Sequence, residues 1–207
     1  QDFKVHLAQD LARLRSDVPI DDDLLATLAR RTTDEIRNTV QAISRQEFHG
    51  AAGALAAARS VLVTGVAASA VTALELEYRL TRLGISATAT SDVHMQRVRS
   101  TLLGAEDVAV FVSFSGATRD LLAAAKVAKD ARARIICLTN YRLSPLCEVA
   151  DYRLITAIDA DPLGSEIASR VANSFLVDAL CRQITSLRQG ADTVLMRTSE
   201  AVGDAQL

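Results

Sequence analysis

Val108-Ala109-Val110-Phe111-Val112, running into Ser113-Phe114-Ser115-Gly116-Ala117-Thr118, decides how this chain is read. The first five residues form an apolar, β-branched run between polar flanks, the pattern of a strand buried on both faces. Behind the second stretch comes Arg119-Asp120-Leu121-Leu122-Ala123-Ala124-Ala125-Lys126-Val127-Ala128-Lys129, which has helix composition. The hydroxyl-rich turn is therefore expected at a helix N-terminus. The first N–H groups of a helix lack intrahelical partners, and the helix dipole favours an anion there. Ser113, Ser115 and Thr118 supply hydroxyls, and Gly116 lets the backbone come close to a ligand. The turn has no lysine, and no Gly-x-x-x-x-Gly-Lys pattern occurs anywhere in the chain. The ligand that suits it is a phosphate monoester held by neutral donors, not a nucleotide with magnesium. For any single hydroxyl the alternative is an N-cap.

Working outward, the same rhythm repeats. Ser60 to Thr64 reads as a strand with Gly65 in its turn, followed by a helix from about Ser69 to Leu83 that Gly84 closes. Ile85 to Thr90 is expected to be a short strand and Asp92 to Leu102 a helix. Arg134 to Thr139 is a further buried strand, Ser144-Pro145-Leu146 a helical turn with Pro at its first position, and Tyr152 to Thr156 a last strand. Ser165 to about Arg188 is expected to be one long helix and Ala191 to Ala201 a final one. Strand–helix alternation implies a parallel sheet with helices on both faces: an α/β three-layer sandwich. Upstream, Asp21-Asp22-Asp23 opens a helix whose apolar stripe is Leu24, Leu28, Ile36, Val40 and Ile43, with a third helix from Phe48 to Ala58. An earlier helix, with Phe3, Leu7, Leu11 and Leu14 on one face, ends before Pro19. It has no core of its own.

Composition limits the function further. The 207 residues suit one α/β domain with extra helices, and 49% hydrophobic content suffices for a sizeable core. A formal net charge of −2 provides no basic field for nucleic acid. Cys137, Cys147 and Cys181 contain no C-x-x-C and fit reduced thiols of a cytoplasmic protein. Cys137 and Cys181 read as core residues. His6, His49 and His94 lack metal-ligand spacing, so no metal or cofactor is expected. No apolar run reaches membrane length. The chain opens at Gln1 with neither Met nor a charged-then-apolar leader, as a piece trimmed from something longer would.

In a doubly wound sheet, ligands sit at the carboxyl ends of the strands. After the first strand comes Gly65-Val66-Ala67-Ala68-Ser69. A dinucleotide fingerprint would place glycines at 67 and 70, where this chain has Ala, which argues against a nicotinamide cofactor. Ser69 suits either a helix cap or a ligand contact. After the second strand, Asp92 suits a cap or a sugar hydroxyl. After the fourth, Thr139, Asn140 and Ser144 suit turn chemistry or ligand. Glu166, at the start of the long helix, suits either the proton-transferring base of a sugar isomerase or an acid on a favourable helix end.

The motifs Gly65-Val66-Ala67-Ala68-Ser69, Ser113-Phe114-Ser115-Gly116-Ala117-Thr118 and Leu138-Thr139-Asn140 with Ser144-Pro145-Leu146 resemble those of a sugar isomerase (SIS) domain, over roughly residues 45 to 188. Ser91-Asp92-Val93-His94-Met95-Gln96, Ile167-Ala168-Ser169-Arg170-Val171-Ala172 and Asp2-Phe3-Lys4-Val5-His6-Leu7-Ala8 are similar to stretches of RpiR-type transcriptional regulators. Ala67 and Ala70 depart from the glycines usual in the first loop of that family. The resemblance implies a five-stranded parallel sheet. It also implies a phosphorylated sugar or sugar acid bound by Ser113, Ser115, Gly116, Thr118, Ser69, Asp92, Thr139 and Glu166, with no catalytic residue. On this reading residues 1–18 are a linker helix at the end of an absent helix-turn-helix DNA-binding domain. Residues 19–207 are then the effector domain of a bacterial regulator of sugar catabolism, a homodimer or homotetramer without membrane contact. The rival is a phosphosugar isomerase using Glu166 as base.

Overall fold

A computed structural model of the chain describes residues 23–158 and 170–203. The expected linker helix within residues 1–18, and Glu166, lie outside those residues. The order is α1 (Leu24–Ala42), α2 (Arg45–Ala57), β1 (Val61–Gly65), α3 (Ala68–Arg82), β2 (Ala87–Thr90), α4 (Val93–Thr101), β3 (Val108–Val112), α5 (Arg119–Asp130), β4 (Arg134–Thr139), α6 (Pro145–Val149), β5 (Tyr152–Ile155), α7 (Val171–Leu187) and α8 (Ala191–Gly203). The five strands form one parallel sheet in the order β2-β1-β3-β4-β5. This is the three-layer sandwich that the strand–helix alternation implied.

The pleat sorts the strand residues between two helix layers. Val108, Val110 and Val112 of β3 face one layer, with Val61, Val63, Ile136, Leu138 and Leu154, against α2, α3 and α7. Ala109 and Phe111 face the other, with Ile135, Cys137 and Ile155, against α5 and α6. Leu55, Leu76, Leu80, Leu176, Leu180 and Ile184 are fully buried in the first layer. Truncating any one of them to Ala costs about 2–5 kcal/mol.

Alanine lets α2 lie close to the sheet. Ala51 and Ala52 have no exposed surface, and a Cβ on Gly50 would come within 2.3 Å of the Tyr152 ring. The helix starts at Arg45, three residues before the expected Phe48. Ser44 caps it by accepting the Glu47 N–H at 3.3 Å, and Ser44-Arg45-Gln46-Glu47 has the Ser-x-x-Glu spacing of a capping box. In α1 the expected stripe divides. Ile43 is buried, whereas Leu24 and Leu28 are 52% and 45% exposed. Thr39 is fully buried, and its Oγ1 accepts the Ala157 N–H at 3.0 Å.

At the amino ends of the strands, Asp107 is 1% exposed and ties β1 to β3. It accepts from Arg59 at 2.5 and 3.0 Å, from Ser60 Oγ at 2.8 Å and from the Gly104 N–H at 2.8 Å. The Arg59 hydrogen bonds, reinforced by Ser60 and Gly104, hold its carboxyl below the usual range against the opposing effect of burial.

Candidate functional site

The strand order places a switch point between β1 and β3, the position where open α/β sheets take ligands. Gly65 pairs with Val112, so the β1–α3 loop and the hydroxyl turn lie side by side at the carboxyl edge.

The turn is built from within. Ser113 is 4% exposed, and its Oγ accepts the Gly116 N–H at 3.1 Å and contacts Thr118 Oγ1 at 3.2 Å. Ser115 is half-buried, and its Oγ accepts the Ala117 N–H at 3.3 Å, leaving its proton available. Thr118 is the N-cap of α5, yet its hydroxyl bonds Ser113 instead of the helix. The backbone N–H groups of Ser115, Thr118, Arg119 and Asp120 consequently have no partner among the described residues. Three donors at the helix N-terminus and one in the turn before it, with the Ser115 hydroxyl beside them, suit a phosphate dianion.

Gly116 has φ +60°, and a Cβ there would lie 2.2 Å from Ser144 Oγ and 2.5 Å from Ser144 Cβ. Ser144 is fully buried and sits against the turn, and the Leu146 N–H donates to the Gly116 carbonyl at 3.0 Å. Thr139 is also fully buried. Its Oγ1 donates to the Phe114 carbonyl at 3.0 Å, and the Asn140 N–H reaches the same oxygen at 3.0 Å. Thr139 thus holds the turn from behind. Asn140 extends the brace, because its Oδ1 accepts the Ile158 N–H at 2.7 Å and its Nδ2 donates to the Ile158 carbonyl at 3.0 Å. Phe114 meets Tyr141 edge-on at 5.8 Å and packs with Ile158 and Ala172. These two residues flank the stretch that carries Glu166.

The first loop differs from the expected cap. The N-cap of α3 is Ala67, at φ +51° and ψ −127°, a conformation that an L-residue with a Cβ adopts only at a cost. Ser69 lies half-buried in the first turn, and its hydroxyl has no partner among the described residues. Gly65 is required by close approach, since a Cβ would come 2.5 Å from the Ser69 carbonyl oxygen. Asp92 caps α4, its Oδ1 accepting the Met95 N–H at 2.8 Å. His94 is exposed. No group of three His, Cys, Asp or Glu among the described residues could hold a metal. The structure therefore brings Ser113, Ser115, Gly116, Thr118 and Thr139 together, with Ser69 in the first turn of the neighbouring α3 and Asp92 on an exposed cap. Sequence reasoning had missed Ser144 as the neighbour of Gly116, and Phe114 as the contact with the chain beyond β5.

Comparison with known proteins agrees with the fold. Residues 54–182 match the SIS domain family. An uncharacterized HTH-type transcriptional regulator of Caldanaerobacter subterraneus is 34% identical over 87% of this chain and 67% of its own length. The HTH-type transcriptional regulator RpiR of Escherichia coli is 29% identical over 78% of this chain, which spans only 55% of that relative. Among solved structures, the Vibrio vulnificus NanR protein, complexed with ManNAc-6P, superimposes with TM-score 0.85 at 27% identity over 99% of this chain and 75% of that one. With the sheet order, the hydroxyl turn and these likenesses together, the chain belongs to the SIS domain family and is related to the RpiR-type transcriptional regulators.

Proposed function

We propose that this domain binds a phosphorylated sugar or sugar acid at the β1/β3 switch point and is the sensing part of a transcriptional regulator of sugar catabolism. The observation that carries the reading is the turn Ser113–Thr118, whose capping hydroxyl is turned inward so that the N–H groups of Ser115, Thr118, Arg119 and Asp120 stay available to a phosphate. Ser115 Oγ donates to the phosphate, Ser113 and Thr139 fix the turn, and Ser69 and Asp92 face the sugar. The ManNAc-6P held by the NanR protein is a ligand of the same chemical class. DNA contact is assigned to a helix-turn-helix domain outside this chain, in keeping with the net charge of −2. Glu166 orients the sugar without chemistry.

The domain acts as a homo-oligomer. Leu24, Leu25 and Leu28 are exposed on the free half of α1. A cleft of about 460 Å³, lined by Val40, Ile43, Phe48 and Phe175 among others, opens between α1, α2 and α7. Both are apolar surfaces of the kind that association covers.

Calorimetry against a panel of pentose, hexose and N-acetylhexosamine phosphates tests the site. A hydrogen bond to a charged group is worth about 1.5–3 kcal/mol, so Ser115→Ala should weaken the best ligand about ten- to hundredfold. Unchanged affinity removes Ser115 from the site. The same ligands, followed by NMR for proton exchange, test the isomerase reading. Sustained interconversion by the wild type, lost in Glu166→Gln, would make the domain an enzyme.

A further inference from the structure

Two thiols meet directly behind the turn. Cys137 lies on β4 and Cys147 on α6, both are buried, and their Sγ atoms are 3.6 Å apart. Nothing in their sequence spacing announces the pair. The stretch between them carries Thr139, Asn140 and Ser144, the residues that brace the hydroxyl turn. Cys147 is tied to that brace: Ser144 Oγ donates to its Sγ at 3.4 Å, and the neighbouring Leu146 N–H donates to the Gly116 carbonyl at 3.0 Å. On the other side Arg153 Nε donates to the Cys147 carbonyl at 2.9 Å.

We propose that Cys137 and Cys147 form a reversible disulfide on exposure to a hydroperoxide, and that this bond weakens phosphosugar binding at the adjoining turn. The second half rests on the function proposed above; the first half does not. The chemistry balances with the peroxide as the only co-reactant. The Cys147 thiolate attacks the peroxide's terminal oxygen, forming a sulfenic acid as the alcohol or water leaves with a proton. The Cys137 sulfur then attacks the Cys147 sulfur, and the hydroxyl departs as water with the Cys137 proton. Two thiols are oxidised and one peroxide bond is reduced.

The surroundings suit these roles. The hydrogen bond between the two sulfurs, with Ser144 and Arg153 assisting, lowers the Cys147 thiol against the opposing effect of burial. The same contact, together with burial, pushes the Cys137 thiol up. Cys181, on α7, has no such partner, and burial raises it to about 11. A disulfide requires an S–S distance of about 2.05 Å, so the sulfurs must close by more than an ångström. Cys147 then moves away from Ser144 Oγ, and α6 draws Ser144 and Leu146 with it. The seat of Gly116 shifts, and the phosphate donors shift with it.

The test uses the whole chain. After peroxide treatment and quenching, the denatured protein should be lighter by about 2 Da, with one alkylatable thiol in place of three. Peptide mapping should join Cys137 to Cys147. Cys181→Ser should behave as wild type, and Cys147→Ser should keep its remaining thiols reduced. Three free thiols after treatment, or a bridge to Cys181, would overturn the disulfide, and wild-type mapping gives that answer even if a variant fails to fold. For the coupling, calorimetry compares reduced and oxidised wild type with the best sugar phosphate. Oxidation should weaken binding at least about tenfold, with recovery in dithiothreitol. Equal affinity in both states would overturn the coupling. Failure of the reduced protein to bind any sugar phosphate would instead sink the proposed ligand class, and the coupling with it, while the mass measurement still decides the bridge.

Discussion

Gly116→Ala should damage the domain both through its backbone and through a clash beside the site. The residue sits at φ +60°, where an L-residue pays about 1–2 kcal/mol. The new Cβ would also lie 2.5 Å from Ser144 Cβ and 2.9 Å from Thr139 Oγ1. Ser144 Oγ can rotate away, but Ser144 Cβ cannot, because Ser144 is fully buried ahead of α6. Overpacking of this kind adds about 1–3 kcal/mol, for a total of about 2–5 kcal/mol. For a domain of this size, that corresponds to a fall in Tm of roughly 5–20 °C. Thermal melts by circular dichroism read it directly. A double mutant with Ser144→Gly removes both clashing Ser144 atoms and leaves the backbone penalty. It should recover part of the loss, with a coupling of about 1–2 kcal/mol. A Gly116→Ala protein melting within about 2 °C of wild type, with unchanged ligand affinity, would refute both the left-handed backbone and the close approach of Ser144.

Ala67→Gly should stabilise the domain by roughly 1 kcal/mol, since relief of the strained backbone outweighs the added freedom of the unfolded chain; denaturant titration at constant slope measures it. Asp107→Ala should cost about 1–3 kcal/mol by orphaning the Ser60 and Gly104 donors. Because the native Asp107 pKa is lowered, its contribution is fully present above the unfolded value of about 3.9 and is lost as pH falls through the native value. The gap between wild type and Asp107→Ala should therefore narrow in acid, as paired melts at pH 3 and pH 7 would reveal. Light scattering at micromolar concentration should give a mass at least twice the 22.2 kDa of one chain; a monomer's mass would contradict the oligomer.

The part of the site written locally was legible. A buried strand, a hydroxyl-rich turn and a helix are consecutive in sequence, so Ser113, Ser115, Gly116 and Thr118 could be placed together from their order alone. The contacts of Gly116 with Ser144, and of Cys137 with Cys147, join β4 and α6 to what lies beside them. No periodicity records a side-chain approach of that sort. The start of α2 is written in Ser44 and Glu47, which stand at capping-box spacing ahead of the first apolar residue, Phe48. In α1 the apolar stripe is longer than one domain can cover, but the pattern does not say which half stays open. The structure seats the helix by its second half, through Thr39 and Ile43, and a polar Thr carries no hydrophobic signal. Ala67 shows the converse: Ala stands where the family usually has Gly, yet the chain keeps a glycine-like conformation there, at φ +51°.

The bond from Ala157 to Thr39 gives the amino-terminal helix a direct stake in what happens at the turn. Phe114, in the middle of the hydroxyl stretch, packs on Ile158; Ile158 adjoins Ala157; and Ala157 is held by α1. Two non-covalent steps thus separate the anion seat from the helix through which any preceding domain would be reached. At the amino ends of β1 and β3, by contrast, Asp107 is tied to Arg59, Ser60 and Gly104. A shift of Phe114 on ligand binding would be passed through those two non-covalent steps to α1, whose outer half carries the exposed Leu24, Leu25 and Leu28.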